Sequence, residues 1–212
     1  MSVAYLSVSS EATMAIKSGL RLMHLLGLVL GLGAATLIDL VTCKFLVKGS
    51  VHEEHWKVIR FSSRIVTAGL VMLWISGLGF LAHYALFAPA NLDNPKVWAK
   101  MAIVGVLSLN GVYIHRRVLP FLKSRIGRGL FDGLGARERS LMLASGAVSA
   151  TSWFVPLGLG AVPQLNFVVP ATIILLGYAT VLTLAIFAST AVGRSLGHQD
   201  ASVARKQLRV QT

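Results

Sequence analysis

Five side chains of this sequence can hold a proton or an ion from within long apolar runs: His24, Asp39, His83, Lys100 and His115. A neutral imidazole ligates haem iron or a metal, a carboxyl carries protons or binds cations, and a desolvated ammonium attracts a carboxylate or phosphate. Placing any of them inside a membrane span costs about 2.5–3.5 kcal/mol on insertion scales, so each marks a candidate site. Counting helix rise from the flanking cations puts His24 about 30 Å from Lys44, His83 about 28 Å from Arg64 and Lys100 about 24 Å from Arg116. Those three are expected in one layer, with Asp39 and His115 in the opposite one.

The faces that carry them are small or hydroxylic. Gly27, Gly31, Ala35 and Asp39 recur every four residues, with His24 three before Gly27. Gly69, Ser76 and His83 recur every seven, with Phe80 between the last two, and Lys100, Val104, Ser108, Gly111 and His115 form a third stripe. Such stripes are expected to face the interior of a bundle, where they admit a neighbouring helix or a flat ligand. Blander roles stand beside these. A histidine near a span end can sit at headgroup level, Lys100 can snorkel, and His115 can join Arg116 and Arg117 in a basic cap.

The elements that must position these groups follow from composition. Of 212 residues, 55% are apolar and 13% charged, against roughly 25% charged in an average soluble domain. Too few polar residues remain to cover a water-soluble core, so the reading is an all-α integral membrane protein, one bundle of five transmembrane helices. The spans are expected at about 22–41, 65–86, 97–119, 141–159 and 167–192, the fourth ending at Pro156 and the fifth holding Pro170 in its first turn. A basic cytoplasmic loop, 120–140, and a polar tail, 193–212, complete the chain.

Net charge is +12, and sixteen of the 20 Lys and Arg fall on the first loop, the third loop and the tail. Only Lys17, Arg21, Lys96 and Lys100 fall on the other side. The positive-inside rule then puts the N-terminus outside and the C-terminus in the cytoplasm of a bacterial inner membrane. Lys17 and Arg21, just before the first span, are the opposing signal. No small-residue cleavage site follows a short apolar core, so a cleaved signal peptide is not expected. In the third loop, Leu122, Ile126, Leu130 and Leu134 recur every four residues among Lys123, Arg125 and Arg128, which suggests an interfacial segment on an anionic leaflet or a solvated basic loop.

Three patterns carry no chemistry. Gly31-Leu-Gly33-Ala-Ala-Thr36 imitates a dinucleotide fingerprint but lies in a membrane span after no strand. His52-Glu-Glu-His55 lacks the spacing of a zinc helix and a third ligand, and suits a solvated capping segment. The basic surface is explained by topology, so no nucleic-acid partner is expected. Cys43, the single cysteine, cannot close an internal disulfide.

Met23-His24-Leu-Leu-Gly27, opening the first span, and Trp98-Ala-Lys100, opening the third and running on to Tyr113-Ile-His115-Arg116, resemble a known family. It is that of the small bacterial inner-membrane proteins related to HemJ, the oxygen-independent protoporphyrinogen oxidase. The resemblance covers about Arg21 to Pro120. It implies a helical bundle binding haem b, with His24 and Lys100 as the functional pair by motif match. This chain departs from it in having five spans rather than four and a long Gly-rich loop before the fourth.

On that reading His24 is an axial ligand of the haem iron and His83, at nearly equal depth, the second. Lys100 binds a propionate or a substrate carboxylate, and His115 serves a second, cytoplasmic-side site. The expected function is electron transfer or porphyrin-related redox chemistry, that of a membrane oxidoreductase, between a small substrate and a quinone or oxidase partner, in the lipid bilayer and with a homo-oligomer allowed. Two alternatives need no cofactor. One is a small permease in which Lys100 and Asp39 line a path for an anion or proton; the other is an accessory subunit docked through its glycine stripes.

Overall fold

In lipid a backbone can satisfy its polar groups only within itself, and long apolar runs therefore become helices. In the computed structural model they are α1 (Ser2–Lys48), α2 (Glu53–Phe87), α3 (Pro95–Tyr113), α4 (Leu119–Ser124), α5 (Ala136–Ala161) and α6 (Ala171–Val210). The structure describes the backbone of residues 2–48, 52–127 and 134–210, and the side chains of 11–44, 52–127 and 134–194. Five stretches are long and apolar enough to cross a membrane: Glu11–Lys44, Glu53–Phe87, Pro95–Ser124, Ala136–Ala161 and Ala171–Arg194.

Local chemistry sets the ends. His52 and His55 open α2, with the His52 N–H donating to His55 Nδ1 at 3.4 Å and Glu53 and Glu54 in the first turn, where the helix dipole favours them. Asn94 caps α3 by accepting the Lys96 N–H at 3.2 Å, and Pro95 follows at the position where a missing N–H costs nothing. Between α3 and α4 the helix widens to a π turn over Ile114–Val118, with the Leu119 N–H reaching back to the Ile114 carbonyl. The cause is Pro120, which lacks an N–H and whose ring would strike the carbonyl four residues earlier.

Several bounds differ from the sequence reading, and α1 and α2 begin well before residues 22 and 65, at Ser2 and Glu53. The fourth helix does not stop at Pro156 but runs through it to Ala161, giving up one backbone bond. The fifth span begins at Ala171 rather than 167, because Phe167 has a φ of 59° and Pro170 precedes the first turn. Helix α6 continues through most of the polar tail, to Val210. In the third loop Leu122 is buried against Trp56 and Ile59, so that turn packs on the bundle rather than lying flat on a leaflet. Leu130 lies outside the described residues.

Glycine decides how the helices meet. A Cβ on Gly27 would stand 2.9 Å from the Gly69 carbonyl, and one on Gly69 would stand 2.6 Å from the Gly27 carbonyl, so α1 and α2 touch backbone to backbone. A Cβ on Gly31 would collide with the Trp153 ring. At Gly27 and Gly31 the first-helix stripe is therefore filled by α2 and by Trp153 of α5, whereas Ala35 and Asp39 further along it border a cavity. Trp153, 2% exposed, anchors a core of Ala35, Leu73 and Leu107. Helix α5 is central, touching α1, α3 and α6. Large apolar side chains such as Val29, Leu40, Leu109 and Phe187 point outward, as lipid-facing residues do.

Candidate functional site

Polar side chains tie the helices at mid-bundle. His24 Nδ1 pairs with Ser76 Oγ at 2.8 Å, Trp74 Nε1 donates to Ser108 Oγ at 2.9 Å, and Ser152 shares a proton with Tyr178 at 2.8 Å. Two of the predicted stripes face inward, with Gly27, Gly31, Ala35, Gly69, Ser76 and His83 all buried. The third does not, since His115 is exposed, Lys100, Val104, Ser108 and Gly111 are only half-buried, and α3 buries Lys96, Ala99, Ile103 and Leu107 instead. Beyond this belt the bundle opens into a hollow at each end.

At one end, called here the lysine end, a hollow of about 230 Å³ lies between the end of α2, the start of α3 and the α5–α6 connection. Tyr84, Asn91, Asn94, Lys96, Lys100 and Asn166 line it, with no acidic residue. Its walls are pinned by Asn94 Oδ1, which also accepts the Phe167 N–H at 3.4 Å, and by Trp98 Nε1, which donates to the Leu92 carbonyl at 2.8 Å. Lys96 is 4% exposed and donates to the Val162 carbonyl at 2.6 Å. Lys100, one turn further along α3, is half-buried, and its Nζ lies 3.8 Å from where a Cβ on Gly160 of α5 would stand. Among the described residues no acceptor is bonded to that ammonium. Two side-chain amines of like sign stand one turn apart in a hollow that no carboxylate lines.

The histidines divide: His24 is close enough to Lys100 to feel its charge, but it does not pair with His83. His24 bonds to Ser76, which stands seven residues, about 10 Å of helix rise, before His83 on α2. The two imidazoles therefore lie about two turns apart and do not face one another, where counting from the cations gave nearly equal depth. That count took the helix ends as level; the register fixed by Gly27 against Gly69 shows they are not. His83, 6% exposed, packs beside Tyr84 and Phe87, and its Nδ1 is buried without a hydrogen-bond partner.

At the other end, the aspartate end, Asp39 and His115 border a second cavity of about 140 Å³ with mainly apolar walls from α1 to α5. His115 Nδ1 donates to the Gly111 carbonyl at 2.9 Å, and its Nε2 lies 3.4 Å from Thr67 Oγ1. Asn110 joins α3 to α5 by donating to the Ser145 carbonyl at 2.9 Å. Among the described residues no group of three His, Cys, Asp or Glu is placed to hold a metal ion.

Sequence reasoning found Lys100 but took Lys96 for a flanking cation. The signal was present, since Lys96 and Lys100 are one turn apart and follow an Asn-Pro cap. The share of Asn166 was not legible, because only the packing of the α5–α6 connection brings it there. No known family model, curated protein or solved structure matches the chain.

Proposed function

We propose that this multi-pass membrane protein binds a small organic or inorganic anion at its lysine end and moves it across the bilayer as a small permease. The observation that carries the reading is the half-buried Lys100 ammonium, which has no bonded acceptor and lies beside Lys96 in a hollow without a carboxylate. An uncompensated ammonium in such surroundings is stabilised chiefly by a bound anion. The cation distribution supports an N-terminus outside and a cytoplasmic C-terminus in a bacterial inner membrane, so that the lysine end meets the outside. The test is uptake of short carboxylates and inorganic phosphate by proteoliposomes. Wild type is expected to accumulate at least one of them, and folded Lys100→Met none. No uptake by wild type, or equal uptake by the variant, overturns the reading.

A second reading, b-type haem, is favoured by one observation, the buried and unpartnered Nδ1 of His83. The fit is partial. His24 and His83 do not suit a facing axial pair, the first-helix glycine stripe is filled, and a single axial imidazole remains. His83 would then hold the iron while Lys96 and Lys100 bound propionates, and the haem would supply one-electron chemistry toward a quinone or oxidase. This is the activity class that the HemJ resemblance implies. A Soret band in the purified protein, lost in His83→Ala, supports it; a featureless spectrum from haem-replete cells overturns it.

A further inference from the structure

The cavity at the aspartate end has a hydrogen-bonding character that its apolar walls conceal. Some of its polar groups have spent their protons on their own backbone or on a neighbouring helix, whereas the Thr42 and Ser149 hydroxyls on its wall make no hydrogen bond among the described residues. The Ser63 hydroxyl donates to the Arg60 carbonyl at 2.9 Å and the Ser145 hydroxyl to the Met142 carbonyl at 2.8 Å. Asn110 must turn its Nδ2 toward Ser145, since a carbonyl can only accept, and this leaves Oδ1 and the second Nδ2 hydrogen unspent. His115 gives its Nδ1 proton to the Gly111 carbonyl. The Trp153 Nε1–H is unpartnered but fully covered, so it does not reach the space. Asp39 adds a carboxyl, and no cation or donor among the described residues is bonded to it.

What remains on offer is one carboxyl with no bonded cation or donor, beside amide and hydroxyl groups that can accept as well as donate, in an apolar chamber. A volume of about 140 Å³ is close to the roughly 150 Å³ of an engineered cavity that takes up benzene. Such a chamber excludes anions, which its carboxylate repels. It wastes a neutral hydrocarbon, which leaves the carboxylate unpaired. It is satisfied by a compact apolar body that carries several N–H donors and a positive charge. We infer that the cavity bordered by Asp39 and Asn110 is a binding site for a small lipophilic primary amine in its ammonium form. Asp39 takes the charge, Asn110 Oδ1 a second N–H, and the apolar walls the hydrocarbon. This site is independent of the anion hollow at the lysine end.

Calorimetric titration of the detergent-purified full chain tests it, with benzylamine as probe and benzyl alcohol as its uncharged counterpart. Wild type is expected to bind benzylamine at least about tenfold more tightly than the alcohol. Asp39→Asn is expected to erase that preference, and Lys100→Met to leave it unchanged. Gly146→Leu, which extends a side chain into the chamber from an open position on α5 without altering Asp39, is expected to weaken both ligands. If Asp39→Asn fails to fold, the wild-type preference and the Gly146→Leu result decide the matter. Equal binding of amine and alcohol, no binding of either, or amine binding that survives Asp39→Asn or Gly146→Leu overturns the inference.

Discussion

At the lysine end two ammonium groups and the side-chain amides of Asn91 and Asn166 line a polar hollow held by connecting segments. At the aspartate end Ser63 and Ser145 return their protons to their own helices, and a carboxyl faces mostly apolar walls built from mid-helix residues. One end carries two ammonium groups and the other a carboxyl. The difference has a backbone origin. Loop and cap positions leave side chains free to project, whereas a mid-helix serine is drawn back to the carbonyl three or four residues before it. A bundle can thus offer opposite chemistry at its two ends with few charged residues.

Both ends depend on the α1–α2–α5 contact between them, and the largest effect should come from there. Gly69→Leu would drive a side chain into the backbone of Gly27 and Gly31. A loss of about 3 kcal/mol or more is expected, read as a lower unfolding temperature in detergent, with anion and amine binding lost together. Gly33→Leu, at a lipid-facing position where a Cβ meets nothing within 4 Å, should change neither. If Gly69→Leu spared one end, the ends would be independent units and the account of a shared core would fail.

The next largest effect separates the ends. Lys96→Met removes an ammonium that is nearly covered and leaves the Val162 carbonyl without its donor. Anion binding, followed by titration with inorganic phosphate or acetate, should fall by more than about tenfold, while benzylamine binding stays at the wild-type value. A parallel fall in both would mean that the variant had loosened the bundle rather than emptied one site.

How much of this was legible in the sequence differs between the ends. The five spans and the two inward small-residue stripes followed from hydropathy and helical period, because lipid imposes both. Lys100 was legible as an ammonium in an apolar run. The polar lining of the other end was not, because it depends on which carbonyl each hydroxyl chooses and on the turn of Asn110 toward Ser145. The separation of His24 from His83 was hidden for a similar reason. Register between antiparallel helices is set where glycines meet, and a residue count along each helix carries no information about its neighbour.

Two neighbours on α3 make the smallest and most discriminating pair. Ser108 and Asn110 each join α3 to another helix, Ser108 by accepting from Trp74 of α2 and Asn110 by donating to Ser145 of α5. Interhelical hydrogen bonds in membranes average about 0.6 kcal/mol and reach about 1.7, so Ser108→Ala and Asn110→Ala should lower stability by similar, small amounts. Only Asn110 borders the aspartate-end cavity. Ser108→Ala should therefore leave benzylamine affinity at wild type, while Asn110→Ala, which removes the Oδ1 acceptor, should weaken it several-fold. Equal amine binding in the two variants would reduce Asn110 to a structural tie and leave Asp39 to carry the recognition alone.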